Sequence, residues 1–310
     1  MRGLLLPRFY LLSSHPGTDS RTAQLPGDNQ ILNEMDAVLK TKLSNIKHVA
    51  LDMDGTIYLS NTLFPFTVPF LEGLRSIGVS HSFLTNNPTK SLDAYLDKLH
   101  GMGIDAVPEQ MYTTTIAMID YIRSHYPDAK RLFLLGTESM QSQFEAAGFE
   151  QSTDNPDDVP DIVVASFDMT LVYSRLCRAA WWVSQGIPYL ATNPDRVCPT
   201  DQRTILVDCG SICKCIEYAT GRKPDVTLGK PDPNMLLNIL ERKGLEPAEI
   251  AMVGDRIYTD IAMARNAGAF GVLVLSGETS LEMAVSASEH PDLIVENIAE
   301  FGRLLAESRK

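Results

Sequence analysis

The stretch Ile46-Lys-His-Val-Ala-Leu51 followed by Asp52-Met53-Asp54-Gly55-Thr56 decides the fold class. Ile46 to Leu51 is a short and mostly apolar stretch, long enough for a buried strand and too short for a helix. Asp52 stands at its end, and Gly55 marks a sharp turn just beyond. A carboxylate at the carboxyl end of a buried strand sits where open parallel sheets bind ligands. Three further stretches lie at comparable boundaries: Thr85-Asn86-Asn87, Gly229-Lys230-Pro231, and Gly254-Asp255-Arg256 with Asp260 beyond.

Around these stretches the pattern alternates. Helices are expected over Ile31–Leu43, Pro69–Ile77, Pro88–Leu99 and Met118–His125, with a strand over Val79–Leu84. From about Lys130 the alternation restarts. Strands are expected over Arg131–Leu135, Asp161–Ala165 and Pro188–Ala191, and helices over Glu138–Ala147, Leu171–Gln185 and Ser211–Ala219. After the turn Gly221-Arg-Lys-Pro224, helices over Pro233–Lys243 and Ile257–Ala267 alternate with strands over Ile250–Val253 and Gly271–Leu275. This is a split α/β domain with a parallel sheet, carrying a smaller inserted α/β domain. The expected boundaries are 41–127 with 225–310 for the split domain and 128–224 for the insert. Residues 1–40 read as an N-terminal extension, disordered to helical.

The chain has 310 residues, of which 44% are apolar and 21% charged, an ordinary globular composition. Its net charge of -12, without an extended basic stripe, argues against a nucleic-acid partner. No apolar stretch approaches membrane-spanning length. The five cysteines all fall between Cys177 and Cys215, which fits reduced thiols and a cytoplasmic location. Arg2, Arg8 and Arg21 among serines give the first 30 residues a faint likeness to an organelle transit peptide, but a plain extension is the reading adopted.

The residue types at the four stretches suit phosphoryl transfer. Asp52 can attack phosphorus and hold the phosphoryl group as an acyl phosphate. Asp54, two residues on, can protonate the leaving alcohol and deprotonate the incoming water. Bringing a carboxylate to a phosphate demands a cation, and Mg²⁺ suits, with Asp255 as a second carboxylate ligand. Thr85 offers a hydroxyl and Asn86 a backbone N–H for phosphate oxygens. Lys230 adds a positive charge. Asp260 is a supporting group that orients Lys230 or a metal-bound water. Arg256 either touches substrate or caps a neighbouring charge.

At these residues the chain resembles the haloacid dehalogenase superfamily. Its likeness is to subfamily IIA, the branch with NagD-like nucleotide phosphatases, 4-nitrophenyl phosphatases and pyridoxal phosphate phosphatases. Ala191-Thr-Asn-Pro-Asp195, Gly210-Ser211 and Ala219-Thr-Gly-Arg-Lys-Pro224 add to the likeness. The resemblance implies a Rossmann-like core with a C2-type cap. About 30 residues separate Asp54 from Thr85 and about 145 separate Thr85 from Lys230, so the cap falls in the second interval. It further implies Asp52 as nucleophile, Asp54 as general acid/base, and Mg²⁺ held by Asp52, the Asp54 backbone carbonyl and Asp255. The substrate implied is a small phosphorylated metabolite: a nucleotide, pyridoxal phosphate, phosphoglycolate or a sugar phosphate.

Departures fall at Ser60–Phe66 and at Ile205-Leu-Val-Asp208-Cys209, which lacks the family's glycine-rich approach to Gly210. Asn193 and Asp195 are candidates to face the substrate, with a loop-internal turn as the alternative. Of Trp181 and Trp182, one is expected to serve as packing. The resemblance also implies a homodimer through the cap. A phosphotransferase or mutase using the same aspartyl chemistry, and an idle protein that only binds a phosphorylated ligand, are the alternative functions.

Overall fold

A computed structural model describes residues 10–11, 28–87, 91–198 and 203–310, with side chains from residue 37 onward. The chain divides into two compact units, 1–83 with 239–310, and 84–238. The expected domain boundaries at 127/128 and 224/225 both fall inside the second unit.

The first unit is built on a sheet whose strands run in the order Tyr10–Leu11, Leu293–Val295, Phe270–Val274, Ile250–Gly254, His48–Asp52 and Ser80–Thr85. The pairings from Tyr10–Leu11 through His48–Asp52 are parallel. All five residues of His48–Asp52 and of Ile250–Gly254 are buried. Strands covered on both faces need no polar alternation, which is why Val49–Leu51 and Ile250–Gly254 read as continuous apolar runs. Their register sets Ile250 opposite His48 and Val253 opposite Leu51, so the two carboxyl ends stop side by side.

The second unit holds a smaller parallel sheet in the order Val226–Thr227, Tyr189–Ala191, Ile162–Ala165, Arg131–Leu135 and Glu150–Gln151. Helices Tyr173–Ser184 and Cys209–Thr220 cover it, burying Ala179, Trp182, Val183, Ile212 and Ile216 with Phe133, Val163 and Tyr189. Trp182 is the tryptophan spent on packing, while Trp181 is 40% exposed. Cys209 and Cys213 belong to the same core, their sulfurs 3.8 Å apart.

Three sequence expectations change. The single helix expected over Ile257–Ala267 opens instead as a π-helical turn, Ile257–Ile261, and becomes α-helical only over Ala262–Ala267. Gly210 and Ser211 lie inside the first turn of Cys209–Thr220, because Asp208 caps that helix. The helix expected from Pro88 spans Leu92–Gly101 and is capped by Ser91, whose Oγ accepts the Ala94 N–H at 3.1 Å. Pro88 and Thr89 lie outside the described residues. Among the described residues, no helix is long and apolar enough to cross a membrane.

The sheet of the first unit buries two histidines. His48 lies with Nδ1 2.7 Å from Ser80 Oγ and Nε2 3.1 Å from Ser82 Oγ. Burial, aided by the charges of Lys243 and His81, lowers its pKa to about 3. Burial and the charges of Arg75 and Lys243 lower that of His81 to about 4. Both rings are therefore neutral in the fold, whereas the unfolded chain protonates them below about pH 6.5. The stability they permit is complete above that pH and is lost as pH falls toward the folded values. Each ring is expected to cost about 1.4 kcal/mol per pH unit once pH lies well below 6.5. Urea titrations should show the midpoint dropping between pH 7 and pH 5, and an unchanged midpoint would contradict this account.

Candidate active site

The matched strand ends of the first unit place Asp52 and Asp255 together, and the π-helical turn adds Asp260. Ile257 and Ile261 anchor that turn by packing with Leu273, Ala284 and Ile294. The Arg256 carbonyl accepts the N–H groups of both Asp260 and Ile261, at 3.0 and 3.3 Å, and the turn widens there. All three carboxylates are buried, and each has an oxygen within 4.8 Å of the others. Asp260, read from the sequence as a supporting group, thus lies within the same carboxylate cluster.

Their surroundings fix these side chains individually. Thr56 Oγ1 donates to Asp52 Oδ2 at 3.2 Å. The Glu278 N–H donates to Asp255 Oδ2 at 2.6 Å, and the Arg256 N–H to Asp260 Oδ2 at 3.1 Å. Ser276 Oγ donates to the Gly55 carbonyl at 2.7 Å, tying the loop after Phe270–Val274 to the turn after Asp52. Gly55, at φ +89°, and Gly277 both press on Asp255, and a Cβ at either would collide with its carboxylate. Sequence reading missed the Ser276–Glu278 loop. The signal was a Ser-Gly pair directly after a strand.

Three buried carboxylates this close repel one another strongly unless a cation or protons intervene. An all-oxygen donor set suits a hard divalent ion such as Mg²⁺ or Ca²⁺, so the residues present fit a metal of that class. Asp54, by contrast, is exposed, with Oδ1 accepting the Ser60 N–H at 3.2 Å. Ser60 lies in the turn of the hairpin formed by Tyr58–Leu59 and Thr62–Leu63. Arg256 places Nε 2.9 Å from Glu278, which also accepts from the Tyr258 hydroxyl at 2.7 Å, so Arg256 has a charge partner within the protein.

The second unit brings Thr85, Asn86, Lys230 and the loop of Asn193 and Asp195 into one polar cluster. Thr85 Oγ1 accepts the Asn87 N–H at 3.1 Å. Asn86 Oδ1 accepts the Lys230 N–H at 2.7 Å, and Asn86 Nδ2 donates to the Lys230 carbonyl at 3.0 Å and to Asp195 Oδ2 at 2.9 Å. Lys230 is buried. Gly229, at φ +78°, lies so close that a Cβ would stand 3.0 Å from Asn86 Oδ1. Asn193 is fully buried and its Nδ2 donates to Asp195 Oδ2 and Asp208 Oδ1, at 2.9 and 3.0 Å. Its amide is thereby engaged by one carboxylate of its own loop and by the cap of the helix Cys209–Thr220. Burial raises the Asp208 pKa to about 6, against the hydrogen bonds from Asn193 and the Cys209 N–H, with the Asp195 charge adding to the rise.

Two family models match the chain, one described as haloacid dehalogenase-like hydrolase over residues 49–150 and one as HAD-hydrolase-like over 227–301. An acid sugar phosphatase of Staphylococcus aureus is 33% identical over 240 residues, 77% of this chain and 90% of that protein. The chain belongs to the haloacid dehalogenase-like hydrolases. Among solved structures, a 4-nitrophenylphosphatase from Thermotoga maritima matches with a TM-score of 0.79 at 38% identity, covering 84% of this chain and 98% of that one. NagD from E. coli K-12 matches with a TM-score of 0.74 at 30% identity, covering 82% and 98%. A glycerol phosphate phosphatase from Mycobacterium tuberculosis, in complex with calcium, matches at 0.75 and 28%, covering 83% and 75%. These likenesses place the chain in subfamily IIA of the haloacid dehalogenase superfamily, as a phosphomonoesterase hydrolase.

Because Gly277 leaves no room beside Asp255, Gly277→Ala should push that carboxylate aside. The variant is expected to bind Mg²⁺ at least about tenfold more weakly in a calorimetric titration, as changes in the support of a metal ligand commonly do. Unchanged affinity would show that the close approach has no bearing on the cluster.

Proposed function

We propose that this chain is a Mg²⁺-dependent phosphatase that hydrolyses a small phosphomonoester through an aspartyl phosphate on Asp52. The observation that carries the reading is the convergence of Asp52, Asp255 and Asp260 at the ends of adjoining parallel strands. In this reading the Asp52 carboxylate attacks phosphorus and the bond to the leaving oxygen breaks. Asp54 gives its proton to that oxygen. Asp54 then takes a proton from water as the water attacks the acyl phosphate, releasing inorganic phosphate and restoring Asp52. The exposure of Asp54 suits such exchange with an entering water.

Asp52, Asp255 and the Asp54 backbone carbonyl are the groups assigned to Mg²⁺, with Asp260 beside them. When bound, the ion supplies positive charge that offsets the approach of two anions. Thr85, the Asn86 backbone N–H and Lys230 are assigned to phosphate oxygens. The reading also treats 41–127 with 225–310 as the catalytic core and 128–224 as a C2-type cap. Four of the five strands of the smaller sheet lie between Arg131 and Ala191, which supports that assignment, and the fifth, Val226–Thr227, lies just past its end. The names of the relatives direct attention to sugar phosphates, glycerol phosphate and aryl phosphates as substrates, alongside nucleotides, pyridoxal phosphate and phosphoglycolate.

A phosphate-release screen over these esters with Mg²⁺ tests the proposal. Asp52→Asn should lower kcat by about 10³-fold or more, since a carboxamide does not replace the nucleophile. Release of phosphate by Asp52→Asn at the wild-type rate would end the reading. Phosphate appearing on an added alcohol rather than in solution would point to a transferase. Asp54→Asn should lower kcat/KM, which reports transfer to Asp52 and not the later water step, by about 10²-fold or more for alkyl phosphates and much less for 4-nitrophenyl phosphate, because nitrophenolate leaves without a proton. Equal losses on both esters would remove Asp54 from the acid role.

A further inference from the structure

Asp195 sits on the loop between the strands Tyr189–Ala191 and Val197–Cys198, far in sequence from Asn86 and Lys230. Its Oδ2 accepts two amide donors, Asn86 Nδ2 and Asn193 Nδ2, each at 2.9 Å. Its backbone carbonyl accepts the Gly210 N–H at 2.8 Å. Gly210 is closed in on the same side, since a Cβ there would stand 2.8 Å from the Asp195 carbonyl oxygen. The Asn193 amide is held in turn by Asp208, which caps Cys209–Thr220, and by Thr192 Oγ1 at 2.9 Å from Asn193 Oδ1. The Asp195 carboxylate is thus held by Asn193 within its own loop and by Asn86 from outside it, and its backbone by Gly210.

Asn86 meets Lys230 at both of its backbone polar atoms, accepting from its N–H and donating to its carbonyl. That pairing works in one orientation of the carboxamide only. Turned by half a revolution, the amide would present NH₂ to the Lys230 N–H and oxygen to the Lys230 carbonyl. A carboxylate accepts and does not donate, so Asp195 requires the nitrogen of Asn86 to face it. Oδ1 is then left pointing at the Lys230 N–H.

We propose that Asp195 is a positioning residue for Lys230: by fixing the orientation of the Asn86 carboxamide, it holds the Lys230 backbone and with it the phosphate-binding ammonium. The proposal rests on the role given to Lys230 above. It replaces the substrate-facing role that sequence reading offered for Asp195. It also gives Asn86 a side-chain function beside its backbone N–H.

Asp195→Ala, Asp195→Asn and the wild type separate the alternatives. The carboxamide introduced by Asp195→Asn can turn its own oxygen toward both amide donors, so it should restore the lock, whereas alanine removes the acceptor. In Asp195→Ala the Lys230 amide hydrogen should exchange at least about tenfold faster, while Asp195→Asn stays within about threefold of wild type. Hydrolysis by Asp195→Ala should fall about 10- to 100-fold in kcat, by the same factor for alkyl and aryl esters, as a small misplacement of a charged group commonly costs. The inhibition constant for inorganic phosphate should rise with it, and Asp195→Asn should recover both.

Wild-type exchange and kcat in Asp195→Ala would overturn the proposal. So would a loss confined to some leaving groups and not recovered by asparagine, which would make Asp195 a substrate contact. A wild type that releases no phosphate from any ester would instead defeat the phosphatase reading, and the exchange measurement would still decide the lock. Should Asp195→Ala lose its cooperative melting transition, Asp195→Ser, whose oxygen is one bond too short to reach the Asn86 amide, carries the same readings.

Discussion

The first unit is organised around mutual repulsion that the fold refuses to relieve by separation. Asp52, Asp255 and Asp260 are buried within 4.8 Å of one another, and like charges at such distances in a protein interior repel by several kcal/mol, which the Arg256 charge acting on Asp255 and Asp52 offsets in part. The parallel register of His48–Asp52 with Ile250–Gly254 fixes two of them, and packing of Ile257 and Ile261 fixes the third. Gly55 and Gly277 close in on Asp255, so it has little room to swing away. The sheet thereby keeps a standing demand for positive charge at one place. A carboxylate cluster of this kind is preorganised for a hard cation and a phosphate rather than assembled by them.

The second unit solves a different problem, that of placing a flexible lysine. A lysine side chain has four rotatable bonds and brings no rigid geometry of its own. Control therefore has to begin at the backbone. Asn86 grips both polar atoms of Lys230, Gly229 admits the close approach, and Asp195 sets which way the Asn86 amide faces. Each step of that chain is a short hydrogen bond between partly or fully buried groups, where leaving a partner out costs more than the bond itself contributes.

Much of this was legible in the sequence because the fold writes its strands as apolar runs that stop at polar residues. Asp52, Thr85 and Asp255 were placed at strand ends by that rule, and the structure puts all three there or just beyond. Subfamily membership, too, was carried by motifs at these boundaries. What escaped was shorter or less periodic. The strands Met111–Thr113 and Leu293–Val295 have three residues each, too few to show a period. The π-helical turn that carries Asp260 has the same composition as an α-helix and differs only in which carbonyl is bonded. Hydrogen bonds between residues over a hundred positions apart, as between Asn86 and Asp195, leave no local signature at all.

The claim on which the rest depends is that phosphorus is transferred to Asp52. Acid-quenching the enzyme during steady turnover, digesting it and weighing the peptides tests this directly. One phosphoryl group is expected on the peptide containing Asp52, labile to hydroxylamine as an acyl phosphate is. Continued turnover with that peptide unmodified, or with the phosphoryl group on another residue, would contradict it.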